Sequence, residues 1–204
     1  MTGSGPLVAV LDYGIGNLRS AQKALERVGV DARLTADPAE IAAADGVVLP
    51  GVGAFGRCMA ALRDSGLDKA ALDAVAAERP FLGICVGMQL LYEASEEDPG
   101  VEGLGVLPAT VRWLPDTVKR PQMQWNVLDV AGEPEMLAGL DRPLWVYFVH
   151  SFAPEPHAGV VASCDYGGPV VAAVQVGRLW ATQFHPEKSG PAGMGILSNF
   201  VASL

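Results

Sequence analysis

Residues 80–91 read PFLGICVGMQLL. Pro80 to Ile84 is a short apolar run of the buried-strand type, and beyond Cys85 the apolar spacing becomes helical. Gly83 and Gly87 stand two residues either side of the cysteine. This is the spacing of a nucleophile elbow, G-x-S-x-G, with cysteine in the serine position. Small residues are needed there because so tight a strand-to-helix turn brings backbone against backbone. The turn lifts one side chain above the sheet edge, and a following helix would aim its N–H groups and positive dipole end at the sulfur, favouring the thiolate. A free cysteine is also commonly a small buried hydrophobe, so the motif by itself leaves a structural thiol open.

Outward from this stretch, strands and helices alternate. Leu7 to Asp12 is an apolar run, Tyr13-Gly14-Ile15-Gly16 breaks it, and Leu18, Ala21, Leu25 and Val28 recur at helical spacing. Gly29 stops that helix, Val30 to Leu34 reads as a strand, and Asp37-Pro38 offers a helix N-cap with proline at the first helical position. Gly46 to Leu49 is a third strand; helices near Phe55–Arg63 and Leu67–Glu78 lead to Pro80. The alternation implies a parallel sheet with right-handed crossovers. Past Leu91, the segment ASEEDPGVEGLG reads as a loop. Strand patterns follow at Val106–Leu114, Gln124–Val130, Leu144–Phe152 and Val170–Val176, with a two-residue hairpin at Gly177-Arg178 and a closing helix over Gly193–Leu204. The expected fold is α/β: one domain over residues 1–204, three α/β/α layers, and a central, mostly parallel sheet.

Composition agrees. Of 204 residues, 50% are hydrophobic and 18% charged, below the roughly 25% usual for soluble domains, as a sheet covered on both faces requires. The net charge of −9, with scattered Lys and Arg, lacks a phosphate-backbone footprint, so nucleic acid is not an expected partner. The start has no basic n-region, and no apolar run approaches membrane-spanning length; a soluble, uncleaved chain with no membrane association is expected. Cys58, Cys85 and Cys164 show neither CxxC nor Cys/His spacing. They suggest no disulfide framework and no metal site, and fit a reducing cytoplasm.

A cysteine nucleophile needs a base. His157 lies in PEPHAG, which reads as an exposed loop, and His150 reads as structural. His185 ends an apolar strand in ATQFHPEKSG, with Glu187 two residues on. In extended backbone, residues two apart share a side, so the carboxylate can hold one imidazole nitrogen while the other faces a thiol. HPE alone is equally a strand-end histidine beside a surface glutamate; joined to the elbow it points to a Cys-His-Glu triad. Pro50-Gly51-Val52-Gly53 follows a buried strand, and its amides, with the Val86 N–H, could stabilise an oxyanion. A phosphate loop would want Lys and Ser or Thr where Ala54-Phe55 stand.

In order along the chain, DYGIGNLRSAQKAL, LPGVGAFG, GICVGMQLL, Trp125-Asn126, YFVHSF and ATQFHPEKSG resemble the triad glutamine amidotransferases, specifically the glutaminase-subunit family of imidazole glycerol phosphate synthase. The resemblance implies a flavodoxin-like amidotransferase fold. It also implies that Cys85, His185 and Glu187 hydrolyse L-glutamine to glutamate and ammonia without a cofactor or metal. The ammonia would pass to a (β/α)₈-barrel cyclase in a heterodimer. That partner makes imidazole glycerol phosphate and an aminoimidazole carboxamide ribotide, in histidine biosynthesis. Gln89, Ser151 and Phe152 would contact glutamine; Trp125 and Lys188 would face the partner. Where the family usually reads H-M-G-W-N, this chain has Gln122-Met123-Gln124-Trp125-Asn126, and the change is expected to alter the partner-facing loop. Two alternatives are the glutaminase of pyridoxal phosphate synthase and a non-catalytic subunit on the same fold.

Overall fold

The computed structural model describes residues 5–204; the first four residues, part of the segment read as an uncleaved start, lie outside the described residues. The elements run β1 (Leu7–Leu11), α1 (Leu18–Arg27), β2 (Asp31–Thr35), α2 (Pro38–Ala43), β3 (Gly46–Gly51), α3 (Phe55–Asp64), α4 (Leu67–Ala76) and β4 (Phe81–Cys85). There follow α5 (Val86–Gln89), β5 (Tyr92–Ser95), β6 (Leu107–Trp113), β7 (Gln122–Val127), β8 (Asp129–Val130), β9 (Trp145–His150) and β10 (Phe152–Pro154). The chain closes with β11 (Val160–Asp165), β12 (Pro169–Val176), β13 (Leu179–Thr182) and α6 (Gly190–Ala202).

The main sheet has the order β2-β1-β3-β4-β13-β12-β11-β8. From β2 to β13 every neighbouring pair is parallel; β13 to β8 is antiparallel. Strands β3 and β4 are buried at every residue, as a parallel sheet covered on both faces demands. The path from β1 to β2 runs one way along the sheet and from β2 to β3 the other. Right-handed crossovers therefore put α1 on one face and α2 on the opposite one. Accordingly α1 packs beside α6, whereas α2 and α3 both pack on α4.

The reversal falls between β1 and β3, and the crevice at the carboxyl ends of such strands is where open α/β sheets bind ligands. Opening onto that edge are the segments after β1, β3, β4 and β13. Two smaller sheets, β7-β9 and β10-β6-β5, stand beside it.

Several sequence expectations shift. Ala94 and Ser95, read as loop, end strand β5, and β11 was not expected. The apolar run Leu144–Phe152 is two strands: β9 pairs with β7, the chain breaks at Ser151, and β10 crosses to β6. Helix α6 begins at Gly190 rather than Gly193. Asp37 caps α2 as expected, its Oδ1 accepting from the Ala39 N–H at 2.9 Å. No helix among the described residues is long and apolar enough to cross a membrane.

Candidate active site

Cys85 ends β4 with φ 56° and ψ −114°. Positive φ is rare outside glycine and is held only where the surroundings impose it. The flanking glycines show how. A Cβ on Gly87 would overlap the Leu49 carbonyl oxygen, and one on Gly83 would stand 3.1 Å from the Met88 Cα. At Gly87 the turn closes only without a side chain, and at Gly83 the fit is tight. The helix behind the sulfur is shorter than expected: α5 is a single turn, because Leu90 and Leu91 lead directly into β5. Few peptide dipoles align there.

The carboxyl end of β13 supplies the facing wall. His185 Nδ1 hydrogen bonds Glu187 Oε1 at 2.8 Å, with both side chains 2% exposed. This leaves Nε2 for the Cys85 sulfur. Burial alone would lower the His185 pKa; the neighbouring Cys85 sulfur and the Glu187 carboxylate overcome it and raise the imidazole to about 9. The turn is fixed from behind: Ser189 Oγ donates to the His185 carbonyl at 2.6 Å, the Tyr147 N–H donates to Ser189 Oγ at 3.0 Å, and the His185 N–H donates to the Tyr147 carbonyl at 3.1 Å. Glu187 Oε2 is buried without a hydrogen-bond partner among the described residues.

Between these walls lies a cavity of about 270 Å³, lined by Val52, Gly53, Cys85, Val86, Gln89, Glu97, Pro121, Val149, His150, Ser151, Phe152 and His185. Three of the four residues assigned to oxyanion binding, Val52, Gly53 and Val86, line it. Gly51 does not: it is the last residue of β3, opposite Cys85, where a Cβ would come within 2.6 Å of the Gly87 nitrogen. Gln89 points inward from α5. It is 3% exposed, and its amide nitrogen donates to the Phe152 carbonyl at 3.1 Å and to Gln183 Oε1 at 3.0 Å.

Two residues beside the candidate triad or its cavity escaped the sequence reading. Gln183 places its amide nitrogen 3.8 Å from the Cys85 sulfur. It stands two residues before His185, so the period-2 argument that found Glu187 could have found it. Among the described residues Glu97 is the one carboxylate lining the cavity; its Oε2 also accepts the Phe55 N–H at 2.8 Å, and burial pushes its pKa up. Nothing local marks it, since its partner, the Phe55 N–H, stands 42 residues earlier at the start of α3.

The Gln122 departure falls inside the protein, not on a partner-facing loop. Gln122 is fully buried, and its amide meets His150 Nε2 at 2.9 Å while His150 Nδ1 lies 2.8 Å from the Phe152 carbonyl. Burial lowers the His150 pKa to about 4. Gln122 Oε1 is the atom facing His150 Nε2, whereas a neutral imidazole donating from Nδ1 accepts at Nε2 and calls for the amide turned to present its nitrogen. On its other side the Gln122 amide nitrogen lies 3.7 Å from the Cys164 sulfur, a thiol that burial keeps protonated, its pKa raised to about 11. Gln124, by contrast, is exposed. His157 is also tied down, 2.9 Å from the Tyr92 hydroxyl. Among the described residues no three His, Cys, Asp or Glu side chains are grouped to hold a metal.

The site's frame recurs in known proteins. The family model for class I glutamine amidotransferases matches residues 9–204. The subunit HisH of imidazole glycerol phosphate synthase from Thermobifida fusca is 48% identical, covering 98% of this chain and 99% of the relative. The chain belongs to the class I glutamine amidotransferase family, as a HisH-type member. The HisH subunit from Methanothermobacter thermautotrophicus is 47% identical, over 96% of this chain and 98% of its own length. The fold is shared more widely. The crystal structure of a putative GMP synthase protein from Thermoplasma acidophilum superposes with TM-score 0.74 at 24% identity, covering 97% of this chain and 93% of that one. PurLQS from Thermotoga maritima gives 0.75 at 18%, covering 98% and 99%.

Proposed function

We propose that this HisH-type amidotransferase releases ammonia from L-glutamine in the cytoplasm. It would supply a (β/α)₈-barrel cyclase subunit with which it forms a heterodimer, residues 1–204 acting as one amidotransferase domain. The supporting observation is the elbow cysteine, forced to positive φ and lining one cavity with a histidine already paired to a buried glutamate. The Cys85 thiolate attacks the side-chain amide carbon, forming the C–S bond, and negative charge grows on the amide oxygen. The Gly53 and Val86 amides face that oxygen, within the set Gly51, Val52, Gly53 and Val86 expected to bind it. Protonated His185 donates from Nε2 to the departing nitrogen, the C–N bond breaks and ammonia leaves. Now neutral, His185 takes a proton from water, whose oxygen attacks the thioester; glutamate leaves and the thiolate returns. Glu187 keeps Nδ1 protonated and the ring oriented throughout.

Gln89 and the backbone of Ser151 and Phe152 border the far end of the cavity and hold the amino-acid end of the substrate. Glu97 is placed to receive the α-ammonium group. The partner-facing surface takes in Trp125 and Lys188. Met123 and Trp125 are two apart on β7, and Trp145 on β9 pairs with Val127, so all three share one face of the β7-β9 ribbon; they are 62%, 48% and 51% exposed. Large exposed apolar groups clustered on one face suit a docking surface. The sequence relatives favour this pathway over pyridoxal phosphate synthase.

The test is glutamate release from L-glutamine by the purified chain, alone and with the cyclase partner plus its nucleotide. Strong stimulation by the partner is expected. A partner-independent rate would remove the pathway and leave the chemistry; no rate in any mixture would favour a non-catalytic role.

A further inference from the structure

The segment Pro50–Gly53 borders the Cys85 sulfur, and two of its carbonyls, those of Pro50 and Val52, are held by donors that do not line the cavity. The Tyr13 hydroxyl donates to the Pro50 carbonyl at 2.6 Å, and the Cys58 thiol, on α3, donates to the Val52 carbonyl at 3.3 Å. Tyr13 is 5% exposed, Cys58 is fully buried, and neither lines the cavity. In a planar trans peptide the N–H points opposite to the carbonyl. A Val52 carbonyl turned to Cys58 therefore turns the Gly53 N–H away from Cys58, and Gly53 lines the cavity.

We propose that Tyr13 and Cys58 are positioning residues that keep amides, rather than carbonyls, of the Pro50–Gly53 segment facing the Cys85 sulfur. This rests on the glutaminase reading. A carbonyl swung into the cavity would set negative charge against the developing oxyanion; an amide stabilises it. Both donors keep their protons, because burial pushes the Tyr13 phenol and the Cys58 thiol above their ordinary pKa values. Packing couples them to the nucleophile: a Cβ on Gly51 would stand 3.0 Å from the Tyr13 oxygen and 2.6 Å from the Gly87 nitrogen, leaving no slack between tyrosine, segment and elbow. Downstream, Glu97 and Asp98 carboxylates accept the Phe55 and Gly56 amides at 2.8 and 2.7 Å, fixing the segment's other end. In the sequence Tyr13 stands within a turn motif and Cys58 within a core pattern, and neither signals this role.

The experiment is steady-state glutamine hydrolysis by the complex with the cyclase partner plus its nucleotide, comparing wild type with Tyr13→Phe, Cys58→Ala and Cys58→Ser. Thermal unfolding of each variant checks its fold. Tyr13→Phe should lower kcat about tenfold or more, within the range for a weakened oxyanion hole, with KM within about twofold. Cys58→Ala should lower kcat less, and Cys58→Ser should restore it, since a hydroxyl still donates. Folded Tyr13→Phe and Cys58→Ala proteins with wild-type kcat would overturn the proposal, as would a Cys58→Ser protein no better than Cys58→Ala. If Tyr13→Phe does not fold, the two Cys58 variants decide the matter. Absence of hydrolysis by wild type would overturn the glutaminase reading itself, whereas an active wild type with unaffected variants removes this inference alone.

Discussion

The parallel half of the sheet, β2 to β13, and the antiparallel strands with their two satellite sheets contribute to the site in different ways. The parallel half supplies the groups proposed to react, each at the carboxyl end of a strand: the Pro50–Gly53 segment at the end of β3, Cys85 at the end of β4, and His185 and Glu187 after β13. Its constraints are steric and local, as at Gly87, where the backbone of β3 leaves no room for a methyl group. The strand-rich half supplies the opposite wall, through Val149, His150, Ser151 and Phe152, and holds it with a buried polar chain from Phe152 through His150 and Gln122 to Cys164. One half is shaped by close approach and the other by hydrogen bonds, so the two should fail differently.

The largest expected effect is in the parallel half. Gly87→Ala should cost about 3 kcal/mol of stability, since an added Cβ overlaps the Leu49 carbonyl and backbone must move. Chemical denaturation measures this; a Gly87→Ala protein of wild-type stability would show that the elbow is not closed by sterics.

A loss of similar size, but dependent on pH, belongs to the strand-rich half. Burial depresses the His150 pKa from 6.5 to about 4. The unfolded chain therefore takes up a proton that the folded one refuses. Stability is fully present above pH 6.5 and is lost as pH falls toward 4, by about 3 kcal/mol from this group. His150→Gln should flatten that part of the stability curve relative to wild type. Identical acid slopes would mean that the imidazole is not held neutral by its surroundings.

The smallest effect lies within the parallel half. The Cys85 sulfur and Glu187 carboxylate raise His185 to about 9 against the lowering effect of burial. Wild-type glutamine hydrolysis should decline on the alkaline side near that pH, as the proton destined for ammonia is lost. Glu187→Gln removes one raising influence, so its alkaline limb should move to lower pH. A limb that stayed in place would separate Glu187 from the titration.

What could be read from the sequence follows the same division. GICVG and HPE were legible because their demands are met within a few residues: glycines where backbone must touch backbone, and a carboxylate two residues from its imidazole. Asp37-Pro38 and Gly177-Arg178 were legible for the same reason, the latter closing β12 onto β13 with Gly177 at φ 55°. Glu97 and Tyr13 were not, because their partners lie about 40 residues away and meet them only through a sheet order that periodicity does not encode. The break at Ser151 was hidden in a continuous apolar run: each residue suits a strand, and only pairing with two different sheets divides it. The helix after Cys85 was overestimated because Met88 to Leu91 suits a helix as well as it suits the descent into β5.

The central claim is that Cys85 attacks glutamine, and the most direct measurement is the mass of the chain quenched in acid during turnover, followed by peptide mapping. The expected result is a glutamyl group as a thioester on the peptide containing Cys85, absent from Cys85→Ala, whose glutamate release falls to background while its fold persists. Turnover that continues in Cys85→Ala, or an adduct on another residue, would contradict it.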